Sequence, residues 1–199
     1  YDLLHFPHEK PIPLRVRSMV GLIPIFAVEV IEPELLKRLP RFREYLDWVL
    51  KNRPKLASLV SRWNEPGRGH RHLFSLLRED RLRSLLRRMM DEEEFLSPYG
   101  IRSMSKAHEK DPFILKCNGR TKYCNGHSQV DYQLAESNSY MFGGNSNWRG
   151  PIWFPVNFLL IESLQRFHHY YGSNFKLESP TNSGQKMTLE AISEDIAGR

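Results

Sequence analysis

Cysteine is scarce in this 199-residue sequence, which contains only Cys117 and Cys124. Both lie in the stretch KCNGRTKYC, where a disulfide closing the small loop is compatible with an oxidising compartment only. A zinc site is not predicted, because no second pair of cysteines matches this spacing. The low cysteine content favours a cytoplasmic protein, and the sequence does not decide whether Cys117 and Cys124 are bonded.

Long apolar runs are also missing. The most apolar window, VRSMVGLIPIFAVEVI, is interrupted by Arg17, Pro24 and Glu29 and is too short to span a bilayer. The sequence has no Ser-centred nucleophile elbow, no Walker loop and no dinucleotide fingerprint. It therefore predicts neither a membrane segment nor a cofactor.

Positive charge is in excess, with a formal net charge of +6. Much of the excess lies in RHLFSLLREDRLRSLLRRMM, where six Arg accompany two acids. Apolar residues recur there at helical spacing after Asp80, the predicted N-cap, and the Arg residues fall mostly on the opposite face. No aromatic platform or nucleic-acid motif accompanies them, so a solvated helix face is favoured over a nucleic-acid partner.

The spacing of apolar residues predicts about six helices and an all-α fold. The helices are expected near residues 13–31, 33–52, 56–63, 80–91 and 158–171, with a last one after Thr188 as N-cap. Pro33 suits the first turn of the second helix, and Gly172 suits the end of the fifth. The one exception is a short predicted hairpin between FILKC and QVDYQL.

An irregular region of more than fifty residues extends from about residue 95 to residue 150. Long loops of this kind are uncommon in compact domains and are often functional. It ends in GGNSNWRGPIWFPVN, residues 143–157, where Arg149 is the only cation between Tyr140 and Gln165. A phosphate or nucleic-acid site would need several cations, so those ligands are disfavoured.

The residue types of 143–157 suit a neutral sugar. The aromatic faces of Trp148 and Trp153 would stack on a sugar ring, while Arg149 and the amides of Asn145 and Asn157 would bond its hydroxyls. The alternative is that both Trp are core residues and Arg149 is a buried ion-pair partner. Composition alone leaves the two interpretations evenly balanced.

Three other segments carry polar side chains of interest. Arg102 and Ser103 lie in SPYGIRSMSK, which by itself indicates a polar loop. WNEPGRGHRH holds Glu65, His70 and His72, but it lacks a third metal ligand, so an exposed turn is favoured over a metal or acid–base site. The adjacent His168 and His169 point in different directions on a helix and cannot chelate as a pair.

Four segments together resemble the catalytic domain of glycoside hydrolase family 63, which includes processing α-glucosidases of the mannosyl-oligosaccharide glucosidase type and mannosylglycerate-hydrolase-like relatives. They are PIPLRVRSMVGLIPIFAVE, FLSPYGIRSMSK, FGGNSNWRGPIWFPVNFLLIESLQRFHHYYG and SPTNSGQKMTLEAISEDI, in the same order as in the family. The resemblance implies an (α/α)6 barrel of two concentric helix rings. Residues 1–199 would form about half of it, truncated at both ends.

The resemblance also implies hydrolysis of α-linked glucosides or mannosides by the inverting mechanism. In that mechanism, two carboxyl groups roughly 6.5–9.5 Å apart act as general acid and general base. The family's acid would precede Tyr1 and its base would follow Arg199, so no catalytic residue is predicted in this chain. Glu65 and Glu136 are the only loop acids to test, and neither matches. A non-catalytic carbohydrate-binding piece is the alternative.

By the same resemblance, the chain contributes sugar contacts to an oligosaccharide or small glycoside. Trp148, Arg149 and Gly150 would border the sugar subsite, with Trp153 and Asn157 supporting them. Asn145 would contribute an amide, and Arg102 and Ser103 would contribute from a neighbouring loop.

Overall fold

The chain begins with β structure, ahead of most of the segment over which the first helix was predicted. The computed structural model describes residues 2–5, 7, 10–60, 65–115, 129–134 and 152–199. An antiparallel hairpin of β1 (Asp2–Leu4) and β2 (Ile12–Leu14) comes first. A 3₁₀ helix (Met19–Phe26) follows, and then β3 (Val28–Ile31), which pairs antiparallel with β4 (His72–Ser75).

The predicted helix over residues 13–31 is therefore wrong. Pro24 lies inside the 3₁₀ helix and lacks the N–H that a longer α-helix would need there. The β-branched residues Val28, Val30 and Ile31 then favour an extended strand. A short apolar run of this kind has the same periodicity whether it forms a buried helix or a buried strand.

In the described residues between β3 and β4, three α-helices each begin with a proline. They are α1 (Pro33–Arg38), α2 (Pro40–Asn52) and α3 (Pro54–Ala57). The first helical position tolerates proline, because its N–H would have no intrahelical partner. The predicted role of Pro33 is confirmed. Leu36 and Leu46 form a small cluster of their own, on which Ile31, Leu50 and Phe74 pack.

The Arg-rich segment forms α4 (Glu79–Met89), as predicted, although its N-cap is Arg78 rather than Asp80. Glu79 and Asp80 occupy the first turn, where acidic side chains interact favourably with the helix dipole. Arg83 is more than a solvated residue, because its guanidinium carbon lies 3.8 Å from the centre of the Phe175 ring. This cation–π contact holds α4 against the segment that follows the long helix described below.

Two short strand pairs follow α4. The first joins β5 (Leu96–Ser97) to β6 (Gly100–Ile101), with Leu96 opposite Ile101. The second joins β7 (Phe113–Ile114) to β8 (Gln129–Val130) and confirms the predicted pairing of FILKC with QVDYQL.

The C-terminal part holds the longest helix, α5 (Phe154–Tyr171), which ends at Gly172 with φ +67°. The strand pair β9 (Lys176–Glu178) and β10 (Lys186–Thr188) leads into α6 (Leu189–Gly198). Thr188 is the N-cap of α6, as predicted, since its hydroxyl accepts a hydrogen bond from the Ala191 N–H at 3.2 Å. Gly172 likewise ends α5, as predicted.

The main core is built around α5, which packs against α6, β3 and the 3₁₀ helix. The 3₁₀ helix, α4, α5 and α6 contribute side chains that are almost fully buried. They include Met19, Leu22, Ile25, Leu82, Leu86, Met89, Leu160, Leu164, Phe167 and Ile192. No helix in the described part of the chain is long and apolar enough to cross a membrane.

The predicted all-α fold, and with it half of an (α/α)6 barrel, is wrong. About half of the described residues are helical, and the described strands form five two-stranded antiparallel sheets. The fold is mixed α and β. The missed strands are two to four residues long. Such short strands cannot show a clear alternating pattern, and only pairing between distant segments defines them.

Candidate functional site

Asn157, in the first turns of α5, joins the two segments that resemble the glycosidase family most specifically. Its Oδ1 accepts the Ile101 N–H at 2.7 Å, and its Nδ2 donates to the Ile101 carbonyl at 3.0 Å. Nδ2 also donates to the Trp153 carbonyl at 3.1 Å. The structure thus brings the end of residues 143–157 against the segment SPYGIRSMSK.

A main-chain contact and a glycine complete this junction. Ile152 forms an isolated antiparallel bridge with Arg102. Gly100 has φ +111°, a conformation that side chains with a Cβ rarely adopt. A Cβ at this position would lie 2.9 Å from Asn157 Oδ1, so the close approach requires glycine.

Arg102 is buried at the junction, with only 9% of its surface exposed. Its Nη1 donates to the carbonyls of Glu92 at 2.9 Å, Glu94 at 3.4 Å and Leu96. Its guanidinium carbon lies 5.7 Å from the centre of the Tyr132 ring, and its Nε has no hydrogen-bond partner among the described residues. Arg102 therefore fixes the turn before β5 through hydrogen bonds to three main-chain carbonyls.

Ser103 is also buried, at 1% exposure. Its carbonyl accepts the Met19 N–H at 2.8 Å, and the next residue, Met104, bridges Ser18. These bonds attach the segment after β6 to the start of the 3₁₀ helix, so the surroundings of Ser103 are those of a packing residue.

Aromatic side chains are exposed where α5 begins. Trp153 is 37% exposed, Phe154 is 82% exposed and Phe158 is 60% exposed. Tyr99, in the turn between β5 and β6, is also exposed. Phe154 and Phe158 lie four positions apart on α5 and so share one face, and a contiguous exposed apolar patch often marks a binding surface. Flat rings with polar neighbours also suit the C–H face of a sugar.

Glu94 is at the centre of a second group of polar contacts, which was not predicted from the sequence. Its Oε1 lies 2.6 Å from Arg17 Nη1 and 3.2 Å from Arg88 Nη1, and its Oε2 accepts the Ser105 hydroxyl proton. Only 12% of its side chain is exposed. The one local signal was that Glu94 directly precedes the buried residues Phe95 and Leu96.

His108 fixes the same region from the other side. Its Nε2 accepts the Arg17 N–H at 2.8 Å, and its Nδ1 lies 2.8 Å from the Asp111 carbonyl. A carbonyl can only accept, so Nδ1 carries the proton and the ring is the neutral tautomer. Both ring nitrogens of this buried imidazole thus form hydrogen bonds with the main chain.

A cavity of about 480 Å³ lies beside these charged groups. Its lining is mostly apolar and comes from the start of the 3₁₀ helix, from α4 and from Phe95, with Arg17 and Arg88 included. The described residues that were predicted to contact sugar (Arg102, Ser103, Trp153 and Asn157) do not line it. The predicted sugar surface at α5 and this cavity are therefore separate features.

The described residues of WNEPGRGHRH form a mostly exposed turn, as predicted, and this turn also contacts the end of α5. The Tyr170 hydroxyl donates to the Glu65 carbonyl at 2.7 Å, and Arg71 Nη1 donates to the His169 carbonyl at 3.5 Å. His72 lies in β4. Among the described residues, no group of three potential ligands is placed to hold a metal ion.

Glu32 links this segment to α5 through charge. Arg71 Nε donates to its carboxylate at 2.8 and 3.1 Å, and His169 Nε2 lies 2.5 Å from Oε1. Hydrogen bonds from Arg71 and from His169 lower the pKa of Glu32 below its ordinary value of 4.5. The pair His168–Glu190, at 3.1 Å, joins α5 to α6 in a similar way.

We expect Glu32→Gln to weaken the acid sensitivity of the fold. Because the pKa of Glu32 is lower in the folded state, its ion pairs stabilise the protein above pH 4.5 and are lost as the pH falls through the folded pKa. The midpoint of urea unfolding, measured from about pH 5 to about pH 3, should therefore fall less in the variant than in the wild type. Glu44→Gln is the control, since Glu44 has no ion pair with another described residue. Equal slopes for Glu32→Gln and wild type would contradict the prediction.

Four of the predicted sugar contacts, Asn145, Trp148, Arg149 and Gly150, lie outside the described residues, as do Cys117, Cys124 and Glu136. Their predicted roles stay predictions. Of the other predicted contacts, Asn157 and Arg102 are buried at one junction, Ser103 is buried beside it, and Trp153 is partly exposed.

Comparison with known proteins gives two relatives. The chain is 46% identical, over its whole length, to the uncharacterized protein YMR196W of Saccharomyces cerevisiae, of which it spans 18%. It is also 34% identical over 99 residues, 49% of the chain, to a Schizosaccharomyces pombe protein described as a probable mannosyl-oligosaccharide glucosidase. The aligned part is 8% of that protein. No protein-family model and no solved structure matches the chain. The chain is thus similar, over half its length, to a protein described as a glucosidase.

Proposed function

We propose that this chain is part of an α-glycosidase and that it supplies sugar contacts rather than the catalytic carboxylates. The observation that carries the proposal is the junction at Asn157. There, the Asn157 amide is hydrogen-bonded to Ile101 of the segment SPYGIRSMSK, in the same turns of α5 where aromatic side chains are exposed. Partial similarity to a protein described as a probable mannosyl-oligosaccharide glucosidase supports the same substrate class.

The proposed reaction is hydrolysis of an α-linked glucoside or mannoside with inversion at the anomeric carbon. A carboxylic acid protonates the leaving oxygen, and a carboxylate removes a proton from the attacking water. Glu94 is unsuited to either role, because two guanidinium groups and the Ser105 hydroxyl already bind its carboxylate. In this proposal both catalytic groups come from sequence outside residues 1–199.

Arg149→Ala tests the proposed sugar site in the full-length protein. We expect the wild type to hydrolyse α-linked glucose oligosaccharides or α-mannosides, and the variant to lose about tenfold or more in kcat/KM, because a charge-assisted hydrogen bond to a hydroxyl is removed. Arg166→Ala is the matched control, since Arg166 pairs with Glu29 on the exposed side of α5 and should leave activity unchanged.

The activities of the wild type and of Arg149→Ala distinguish the possible roles of this chain. Wild-type activity in Arg149→Ala would remove Arg149 from the site. Binding of the same oligosaccharides without hydrolysis by the full-length protein would favour a non-catalytic carbohydrate-binding role instead. Proton NMR of the first product anomer distinguishes inversion from retention, and a retained anomer would contradict the proposed mechanism.

A further inference from the structure

The junction at Asn157 assigns a different task to a residue that the sequence suggested as a sugar ligand. We propose that Asn157 is a positioning residue, whose amide fixes the main chain of Trp153 relative to Ile101 and Arg102 and thereby orients the sugar-facing aromatic surface. This inference rests on the proposed glycosidase function. We refer to Asn157, Gly100, Ile101 and Trp153 together as the Asn157 clamp.

The hydrogen-bonding capacity of Asn157 is almost fully used inside the protein. Both Nδ2 protons are committed, one to the Ile101 carbonyl and one to the Trp153 carbonyl. Oδ1 accepts the Ile101 N–H, and only 6% of the residue is exposed. Asn157 therefore has almost no free hydrogen-bond donor or acceptor left for a sugar hydroxyl.

The clamp acts on the main chain of Trp153, a predicted sugar contact, and of Ile101, which directly precedes the predicted contact Arg102. The Trp153 carbonyl accepts from both the side chain and the N–H of Asn157, so it is fixed where α5 begins. Ile101 is bonded at both its N–H and its carbonyl, and Arg102, the next residue, bridges Ile152. A shift of Asn157 would therefore move Trp153 and Arg102 relative to each other.

Gly100 is the required counterpart of Asn157. Its φ of +111° and the 2.9 Å separation between a built Cβ and Asn157 Oδ1 mean that alanine would strain the chain and push the amide away. Gly100→Ala should therefore reproduce the effect of losing the amide without altering Asn157 itself.

The test uses the full-length protein with Asn157→Ala, Gly100→Ala and the control Asn52→Ala. Asn52 also donates a side-chain hydrogen bond to a main-chain carbonyl, that of Trp48, but on α2. We expect both clamp variants to lose about tenfold in kcat/KM on an α-linked glucose oligosaccharide, mainly in kcat, because misplaced contacts raise the barrier. Hydrogen exchange at the Ile101 amide should accelerate in Asn157→Ala, and the control should match the wild type.

A double-mutant cycle separates positioning from a purely structural role. If Asn157 acts through Trp153, Asn157→Ala should cost much less in a Trp153→Ala background than in the wild type. Full additivity of the two substitutions would overturn the inference. So would wild-type kcat/KM in Asn157→Ala, even with faster exchange at Ile101.

The design also keeps the two proposals apart. If the wild type hydrolyses none of the oligosaccharides, the proposed function fails, and the clamp is then judged by oligosaccharide binding in a calorimeter. A roughly tenfold weaker affinity of Asn157→Ala, with Asn52→Ala unchanged, would support the clamp. Equal affinity of variant and wild type, or no binding by either, would overturn it.

Discussion

Gly67→Ala should destabilise the region around the end of α5 by about 3 kcal/mol. A Cβ at Gly67 would lie 2.5 Å from the Tyr170 ring and 2.5 Å from the Tyr170 carbonyl oxygen. The carbonyl belongs to the backbone of α5 and cannot rotate away, so the segment WNEPGRGHRH would have to move. That movement would also break the hydrogen bond from the Tyr170 hydroxyl to the Glu65 carbonyl.

Native-state hydrogen exchange of the full-length protein measures this effect locally. Amides of β4 and of the last turns of α5 should exchange faster in Gly67→Ala. Gly21→Ala is the matched control, because no atom lies within 4 Å of a Cβ built at Gly21. Similar exchange in the two variants would show that the segment adapts at little cost, against the packing described.

Glu94→Gln should destabilise the junction region by about 2 kcal/mol. The substitution keeps the shape of the side chain but removes the charge that Arg17 and Arg88 bind at 2.6 and 3.2 Å. Charge-assisted hydrogen bonds are about twice as strong as neutral ones, so both bonds weaken. The segments around Arg17, Arg88 and Ser105, which Glu94 joins, would then separate more easily.

The neighbouring Glu93 provides a control of the same residue type. Its pKa is lowered to about 2 by hydrogen bonds from Lys106 and from Lys110, yet its side chain is 61% exposed. Exposed ion pairs contribute little to stability, so Glu93→Gln should leave exchange at the junction close to that of the wild type. If the two variants behave alike in hydrogen exchange of residues 94–105, Glu94 does not hold the junction together.

The helices that were predicted correctly are those with strong local signals. In α4 the apolar residues repeat at helical spacing, and in α5 and α6 a glycine end and a threonine cap add to the pattern. Neighbouring residues along the chain create these signals, so no knowledge of the fold is needed. The segment over 13–31 lacked such caps, and there the periodicity was misleading.

At the candidate site, too, local sequence specified some features and tertiary packing specified the others. The sequence pointed to both segments that meet at the junction, to 143–157 by its Trp, Arg and Asn residues and to SPYGIRSMSK by its resemblance to the glycosidase family. It also determined the longer helices. Only the tertiary structure shows that the Asn157 amide forms hydrogen bonds with Ile101, 56 positions away, and that Glu94 binds Arg17, 77 positions away. Such bonds form between segments brought together by packing of the core, and nothing in the local sequence of either partner specifies the other.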